Sequence, residues 1–220
     1  MPDTRARLLA EAEVLLRTKG YAGFSYADLA DRIAIRKASI HHHFPTKEAL
    51  LTTLVDEYLA KFVATLADIT ATHPDPRDRL RAYARLFFDG IERGLLPLCG
   101  ALAAERSALP DAMRTVIQHF FQLHLDWLVE QIEAGQAAGV FAPQADALET
   151  AHLVLGALEG GSFVAWALDD TRTMLRAFDA ALLTLETPSL QAPSPEAPST
   201  GTTSHRTAPA SRRTSPRRSS

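Results

Sequence analysis

The sequence predicts an all-α protein of about nine helices, and three observations support this fold class. Alanine and leucine recur throughout the 220 residues, whereas glycine (11 residues) and aromatic residues (7%) are sparse, which favours helix. Apolar residues repeat with a period close to that of the α-helix, and no alternating pattern typical of strands is present. Seven of the 13 prolines fall between the periodic stretches, where they interrupt no helix.

The first four predicted helices carry clear end signals. The first ends at Lys19-Gly20, and its inner face is apolar: Leu8, Leu9, Ala12, Leu15 and Leu16. Ser25 can cap a second helix over residues 26–33, and a three-residue turn leads to a third over residues 37–43. Thr46 caps a long fourth helix from Lys47 to about Ala71. Five more helices are predicted at 77–93, 97–107, 110–138, 144–168 and 171–186.

Charge and proline content divide the chain into three parts. The net charge is +2 over residues 1–50, −9 over residues 51–186 and +4 over residues 187–220. A mildly basic head on an acidic body is typical of a protein whose head alone approaches a polyanion. We predict a head over residues 1–46, a helical body over 47–186, and a disordered basic tail over 187–220. The tail is rich in Pro, Ser and Thr, and its arginines can add salt-dependent attraction to DNA.

The head has the spacing of a helix-turn-helix between residues 26 and 45. A short helix can enter the ~12 Å major groove of DNA only if a second helix braces it at a steep angle. Leu29, Ile33 and Ile40 supply the apolar contacts of such a pair, and small Ala30 lies where the helices cross. Because Ile40 and Phe44 point inward together, the opposite face of the 37–43 helix is left for DNA.

Eight residues are predicted to contact DNA, through cationic, imidazole or hydroxyl groups or by allowing a close approach. They are Ser25, Tyr26, Lys37, Ala38, Ser39, His41, His42 and Lys47. The hydroxyl groups lie at helix N-termini, where a phosphate is also favoured by the helix dipole. The His triplet at 41–43 is not expected to bind metal, because adjacent helical residues diverge by about 100°. His43 is expected to be half-buried and structural.

The stretch GYAGFSYADLADRIAIRKASIHHHFPTKEALL resembles the DNA-binding domain of the TetR family of bacterial regulators, specifically across residues 8–54. The resemblance implies a homodimer that binds a palindromic operator, usually as a repressor that a small-molecule effector releases. It also implies a core of Phe24, Ile33, Ile40 and Phe44. Ala34 stands where the family often has glycine, which costs about 1 kcal/mol if the backbone there is left-handed. His41 stands where the family commonly has tyrosine, so its hydrogen bonding depends on pH.

The last two predicted helices have features of a dimer interface. Residues 144–168 contain six small residues: Ala151, Gly156, Ala157, Gly160, Gly161 and Ala165. Residues 171–186 contain five apolar ones at helical spacing: Met174, Leu175, Phe178, Leu182 and Leu185. The resemblance implies that both helices pack with their symmetry mates as a four-helix bundle. The alternative is that they are ordinary core within one subunit, but a glycine inside a helix costs ~1 kcal/mol unless close packing offsets it.

The helices between residues 47 and 138 are predicted to enclose the effector pocket. Candidate lining residues are Phe62, Phe87, His119, Phe120, His124 and Trp127. His124 continues an apolar face and therefore points inward. The alternative is that His124 is a hydrogen-bonded core residue and that the aromatic residues are plain core.

Cys99, the single cysteine, is also placed in the ligand site and suggests an alternative function. Pro97 opens a helix there, and a thiol in a first helical turn has its thiolate favoured by the dipole. Cys99 could therefore sense electrophiles or oxidants. Its apolar neighbours, with no Lys, Arg or His within five residues on either side, instead favour a buried, inert thiol.

Other classes of protein are disfavoured by the sequence. No uncharged run exceeds a dozen residues, and charge returns at Glu11 before a signal peptide can form, so a soluble cytoplasmic protein is expected. No dinucleotide-binding, phosphate-loop, metalloprotease or nucleophile-elbow motif is present, so neither an enzyme nor a cofactor is expected. Two alternatives remain open: an adaptor whose head binds protein, and a transcriptional activator instead of a repressor.

Overall fold

The structure is a computed structural model that describes residues 3–186, and over that range it confirms the all-α fold. Its nine α-helices are α1 (Thr4–Lys19), α2 (Tyr26–Ile33), α3 (Lys37–His43), α4 (Lys47–Thr72), α5 (Pro76–Glu92), α6 (Leu98–Ala104), α7 (Asp111–Ala137), α8 (Ala147–Leu168) and α9 (Arg172–Glu186). The prediction of a disordered tail over 187–220 falls outside these residues.

The predicted helix bounds agree with the structure at α2 and α3 and need correction in the body. The predicted 97–107 helix is shorter, because α6 ends at Ala104 and a 3-10 turn follows at Arg106–Ala108. The predicted 144–168 helix starts later, because the Asp146 side chain accepts a hydrogen bond from the Glu149 backbone N–H at 2.8 Å and so caps α8.

Two apolar cores organise the described chain. The core of the head contains the inner faces of α1 to α3, including the four predicted residues Phe24, Ile33, Ile40 and Phe44, all of which are buried. It also takes in Leu98 and Leu102 of α6 and Met113 of α7. The head is therefore packed onto α6 instead of standing apart from the body.

The apolar face of α9 belongs to the second core, which lies within the body. Met174, Phe178, Leu182 and Leu185 are buried there, and Leu175 packs against them. Helix α9 therefore uses these side chains to pack within its own chain, mainly on α8. Gly161 allows that packing: a Cβ added at Gly161 would lie 3.2 Å from the Cα of Met174.

Helix α8 has an unusually apolar surface. By length and composition alone it could cross a membrane, with a mean hydropathy of 1.3 over its best window, of which 39% is buried. The length of uncharged runs in the sequence did not reveal this helix, because Glu149 and Glu159 interrupt its apolar stretches. Length and composition carry little weight here, since core helices of soluble proteins share them.

Ala34 ends α2 with left-handed backbone angles, φ 57° and ψ 48°. This is the condition under which the departure from glycine costs free energy. We expect Ala34→Gly to raise the free energy of unfolding by about 1 kcal/mol, as measured by urea denaturation. The control is Ala10→Gly on the exposed side of α1, where the same change should lower stability by about 1 kcal/mol. A loss of stability in both variants would contradict the argument.

Candidate nucleic-acid interface and internal cavity

Helix α3 is held on the surface by one buried side chain and by its neighbour Tyr26. Ile40 is fully buried, which fixes the rotation of the helix about its axis. The Tyr26 hydroxyl donates to the carbonyl oxygens of Phe44 and Thr46, at 3.0 and 2.6 Å. The Tyr26 ring also meets His41 edge-on, with centroids 5.0 Å apart. Because Tyr26 is buried and its hydroxyl is already engaged, the structure gives it a bracing role behind α3.

Six of the eight residues predicted to contact DNA are exposed in the structure. They are Ser25, Lys37, Ala38, Ser39, His41 and His42. Ser25 is exposed but also occupied: its Oγ accepts from the backbone N–H groups of Ala27 and Asp28, and the Asp28 carboxylate accepts from the Ser25 backbone N–H at 2.7 Å. This capping box places a carboxylate at the start of α2, where a phosphate was expected. His43 is half-buried, as expected.

Lys47 is positioned differently from its prediction. Its ammonium group donates to the carbonyl oxygens of Tyr21 and Phe24 and lies over the Phe24 ring, 4.0 Å from the centroid. Partial burial lowers the pKa of Lys47. The lysine therefore closes the loop between α1 and α2 instead of extending into solvent.

Arg36 is a candidate DNA contact that the sequence reasoning missed. It is the exposed N-cap residue of α3, and it lines an open surface groove together with Ala38, Ser39 and His42. The signal was available in the sequence, because Arg36 and Lys37 form a cationic pair at the start of the exposed helix. Together they give the exposed end of α3 two positive charges.

A cavity of about 270 Å³ lies in the body beneath α1 and α6. Five of the seven residues predicted for the ligand site line it: Phe62, Phe87, Cys99, Phe120 and His124. The other two do not. His119 is exposed on α7, and Trp127 lies in the core, where its Nε1 donates to Thr70 Oγ1 at 3.1 Å. Helical spacing placed both on α7 but could not show which side of the helix meets the cavity.

His124 is a buried histidine that is hydrogen-bonded to Tyr83. The Tyr83 hydroxyl is hydrogen-bonded to His124 Nδ1, and both side chains are almost fully buried. Burial lowers the pKa of His124 to about 3, so the imidazole is neutral. Its Nε2 has no partner within the described chain. Sequence reasoning found His124 but missed Tyr83, which is 41 residues away in the chain.

Glu159 of α8 lines the same cavity and was also missed. Its Oε2 is shielded from solvent and has no hydrogen-bond partner among the described residues. Burial raises the pKa of this carboxyl to about 7. The absence of a side chain at Gly100 makes room for Glu159, because a Cβ there would overlap the carboxyl group.

Arg17 joins the cavity wall to the head. Its Nε donates to the Leu96 carbonyl at 2.6 Å, and its guanidinium pairs with Glu13 at 2.9 Å. Arg17 is 6% exposed. The charge of Arg17 is therefore already matched by Glu13, although both side chains line the cavity.

Cys99 does not have the properties of a reactive thiol. It is 2% exposed, and burial together with the nearby Glu159 raises its pKa well above the usual value. The predicted effect of the helix dipole is thus outweighed by desolvation, and the structure gives no support to the thiol-sensor alternative. Over residues 3–186 no three His, Cys, Asp or Glu side chains are grouped to hold a metal ion.

Comparison with known proteins gives matches along most of the chain. Residues 8–54 match the family described as "Bacterial regulatory proteins, tetR family", and residues 76–181 match "Tetracyclin repressor-like, C-terminal domain". The HTH-type transcriptional regulator CymR of Pseudomonas putida is 31% identical over 137 residues, which cover 60% of this chain and 68% of CymR. The HTH-type transcriptional activator FasR of Mycolicibacterium smegmatis is 30% identical over 90 residues, 41% of each chain.

A solved structure agrees over nearly its whole length. The crystal structure of a TetR-family regulator from Agrobacterium tumefaciens superposes with a TM-score of 0.79 at 30% sequence identity. The match covers 83% of this chain and 97% of the other.

The raised pKa of Glu159 predicts a pH-dependent stability. Between pH 4.5 and about 7 the folded protein binds more protons at this carboxyl than the unfolded chain does, so the free energy of unfolding falls as pH rises through that window. Glu159→Gln removes this titration. The difference in the free energy of unfolding, variant minus parent, should be larger at pH 8 than at pH 4 by up to about 3 kcal/mol, as measured by urea denaturation.

The matched control for this prediction is Glu130→Gln on the exposed side of α7. Its stability should follow that of the parent at every pH, because the side chain is solvated in both states. Parallel curves for Glu159→Gln and the parent would show that Glu159 is ionised in the fold.

Proposed function

Because this chain belongs to the TetR family of bacterial transcriptional regulators, we propose that it is a homodimeric repressor that a small-molecule effector releases from a palindromic operator. The chain is a DNA-binding regulator and not an enzyme, as its family shows. The observation that carries the proposal is the exposed face of α3, which presents Lys37, Ala38 and His41 to solvent.

The chemistry of this face suits the major groove. Lys37 and Arg36 supply charge for phosphates or guanine edges, and the imidazoles of His41 and His42 can donate or accept at base edges. Ala38 lets the helix approach closely. Tyr26 and Lys47 were also predicted to contact DNA, but their polar groups are hydrogen-bonded inside the head, so we leave them out of the proposed contacts. We therefore propose DNA contacts by Arg36, Lys37, Ala38, Ser39, His41 and His42, with Ser25 at the edge.

Two such heads need a rigid connection, and α8 offers the surface for it. Leu153, Gly156, Gly160 and Val164 fall on one side of α8 by helical spacing, and all four are exposed. Apart from the adjoining residues and backbone of α8 itself, a Cβ added at Gly156 or Gly160 would meet no atom of residues 3–186 within 4 Å. An apolar stripe with two open glycines is suited to close approach by a second copy of α8. TetR-family regulators are soluble proteins, so protein contact explains the apolar surface of this helix better than a membrane does.

Release by an effector is supported by the position of α6. One side of α6 contributes Leu98 and Leu102 to the core of the head, while Leu98 and Cys99 also line the cavity. A ligand that shifts α6 would therefore change the packing of the head. The ligand can shift this equilibrium only by its difference in affinity between the two arrangements.

Repressor activity is favoured over activation by the match of residues 76–181 to a repressor-like domain. FasR, which is named as an activator, matches only 41% of this chain. A reporter gene placed behind the chain's own upstream region decides between the two: deleting the regulator should raise expression if it is a repressor and lower it if it is an activator.

The proposed DNA contact predicts a charge-reversal effect. Lys37→Glu should lower the affinity for duplex DNA from the upstream region at least tenfold, because a carboxylate on α3 would face phosphates. Affinity is measured by fluorescence anisotropy at several salt concentrations. Arg81→Glu is the matched control, since Arg81 is an exposed cation on α5 in the body and does not line the cavity. Equal affinities for both variants and the parent would exclude α3 as the DNA contact.

The proposed dimer face predicts a second effect. Replacing Gly156 and Gly160 together by leucine should convert the dimer to monomers at micromolar concentration, because eight additional side-chain carbons would separate the two helices. Sedimentation velocity gives the mass. Ala60→Leu on an exposed part of α4 is the control and should leave the mass unchanged. A dimeric double variant would place the interface elsewhere.

A further inference from the structure

The two unpartnered polar groups of the cavity restrict the chemistry of its ligand. The first is His124 Nε2. Tyr83 is fully buried, and His124 Nδ1 is the acceptor available to its hydroxyl among the hydrogen bonds of the described chain. If Tyr83 accepted from His124 instead, its own proton would lack a partner in the core, which costs about 1–3 kcal/mol. Tyr83 therefore donates to Nδ1, and Nε2 of the neutral ring carries a hydrogen that needs an acceptor.

The charges of the cavity argue against an ionic ligand. Among the described lining residues, Arg17 is paired with Glu13 and with the Leu96 carbonyl, while Lys61 and Arg93 are exposed. Because Lys61 and Arg93 are exposed, water and salt screen their charges, and an anion held beside Glu159 would be repelled by that carboxyl group whenever it is ionised. A cation would be matched by Glu159, but it would leave the His124 N–H without an acceptor. Burying an unmatched charge is far more costly than burying a neutral hydroxyl.

The body of the cavity suits an aromatic ring. Tyr58, Phe62, Phe87 and Phe120 form much of its wall, and the Phe62 and Phe120 rings lie 4.8 Å apart. The volume of about 270 Å³ compares with ~150 Å³ for an apolar cavity that holds benzene. The space therefore fits a molecule of one or two rings.

We propose that this cavity binds an uncharged aromatic molecule that carries a hydroxyl group. The hydroxyl oxygen accepts a hydrogen bond from His124 Nε2–H, and the hydroxyl donates a hydrogen bond to a carboxyl oxygen of Glu159. The proposal rests on the proposed effector function and names the class of effector. A hydroxyl suits the site better than a carbonyl does. The pKa of Glu159 near 7 leaves both its forms populated at neutral pH, and a hydroxyl can pair with either, whereas a carbonyl pairs only with the acid.

Four probes of similar size test the proposal on the full-length protein without DNA. They are benzyl alcohol, toluene, benzoate and benzylammonium, and their affinities are measured by isothermal titration calorimetry at pH 7. Benzyl alcohol should bind at least tenfold more tightly than each of the other three. The proposal is overturned if toluene or either ion binds as tightly as benzyl alcohol, or if none of the four binds.

A double variant tests the role of His124. Tyr83→Phe combined with His124→Phe removes both partners of the buried hydrogen bond, so neither is left orphaned. The preference for benzyl alcohol over toluene should then fall at least tenfold. The matched control is Thr70→Val with Trp127→Phe, which removes a hydrogen bond of the same core outside the cavity and should keep the preference. A preference that survives in the Tyr83/His124 variant would overturn the assignment.

Glu159→Leu supplies a test that does not depend on the folding of the double variant. The leucine side chain offers no acceptor to a hydroxyl, so the affinity for benzyl alcohol should fall at least tenfold, whereas the affinity for toluene should not fall. An unchanged affinity for benzyl alcohol would overturn the assignment of its hydroxyl to Glu159. Binding of DNA is measured separately by anisotropy. If benzyl alcohol binds but operator affinity does not change, the effector-release proposal fails while the ligand class stands.

Discussion

The contact on which the rest of this structure depends is the buried guanidinium of Arg17. It belongs to α1 of the head, yet it donates to the Leu96 carbonyl in the segment that leads into α6. Leu96 in turn donates its backbone N–H to the Arg17 carbonyl at 3.4 Å. Removing one partner of such a buried, paired charge leaves the other uncompensated, which is strongly destabilising. These two hydrogen bonds hold the head and the wall of the cavity in one arrangement. A displacement of residues 96–99 would therefore be transmitted directly to α1 through Arg17.

This arrangement gives physical meaning to the unsatisfied groups in the cavity. A buried polar atom without a partner costs about 1–3 kcal/mol, and stable proteins keep few of them. His124 and Glu159 both carry such atoms, and both line the cavity that α6 also borders. A ligand that satisfies them gains affinity only in the arrangement where the cavity has this shape. That difference in affinity is the quantity that an effector needs in order to shift an equilibrium between DNA-binding and released states.

Local signals explain why the bounds of α2 and α3 could be predicted to the residue and the cavity could not. The bounds of α2 and α3 follow from the Ser25 cap and the inward Ile40, which act over a few residues. The left-handed Ala34 was likewise visible as a departure from an expected glycine. The groups that define the cavity come together over long separations, 41 residues for Tyr83 and His124 and 79 for Arg17 and Leu96. Helical periodicity identifies a face but not its neighbour, so His119 was wrongly placed in the cavity.

Helix α8 has two proposed roles, ligand binding and dimer contact, and they involve different sides of the helix. Glu159 reaches the cavity, while Gly156 and Gly160 lie open on the exposed surface. A displacement of α8 that follows the ligand at Glu159 would therefore also move the face proposed to join two subunits, and with it the spacing of the two α3 helices. An operator whose half-sites lie ~34–36 Å apart tolerates little change in that spacing. Thermodynamic linkage makes this coupling reciprocal. If the effector lowers the affinity for the operator by some factor, the operator lowers the affinity for the effector by the same factor. The proposed control requires no contact between the cavity and DNA, because α6 and α8 both border the cavity, while α6 also packs on the head and α8 carries the proposed dimer face.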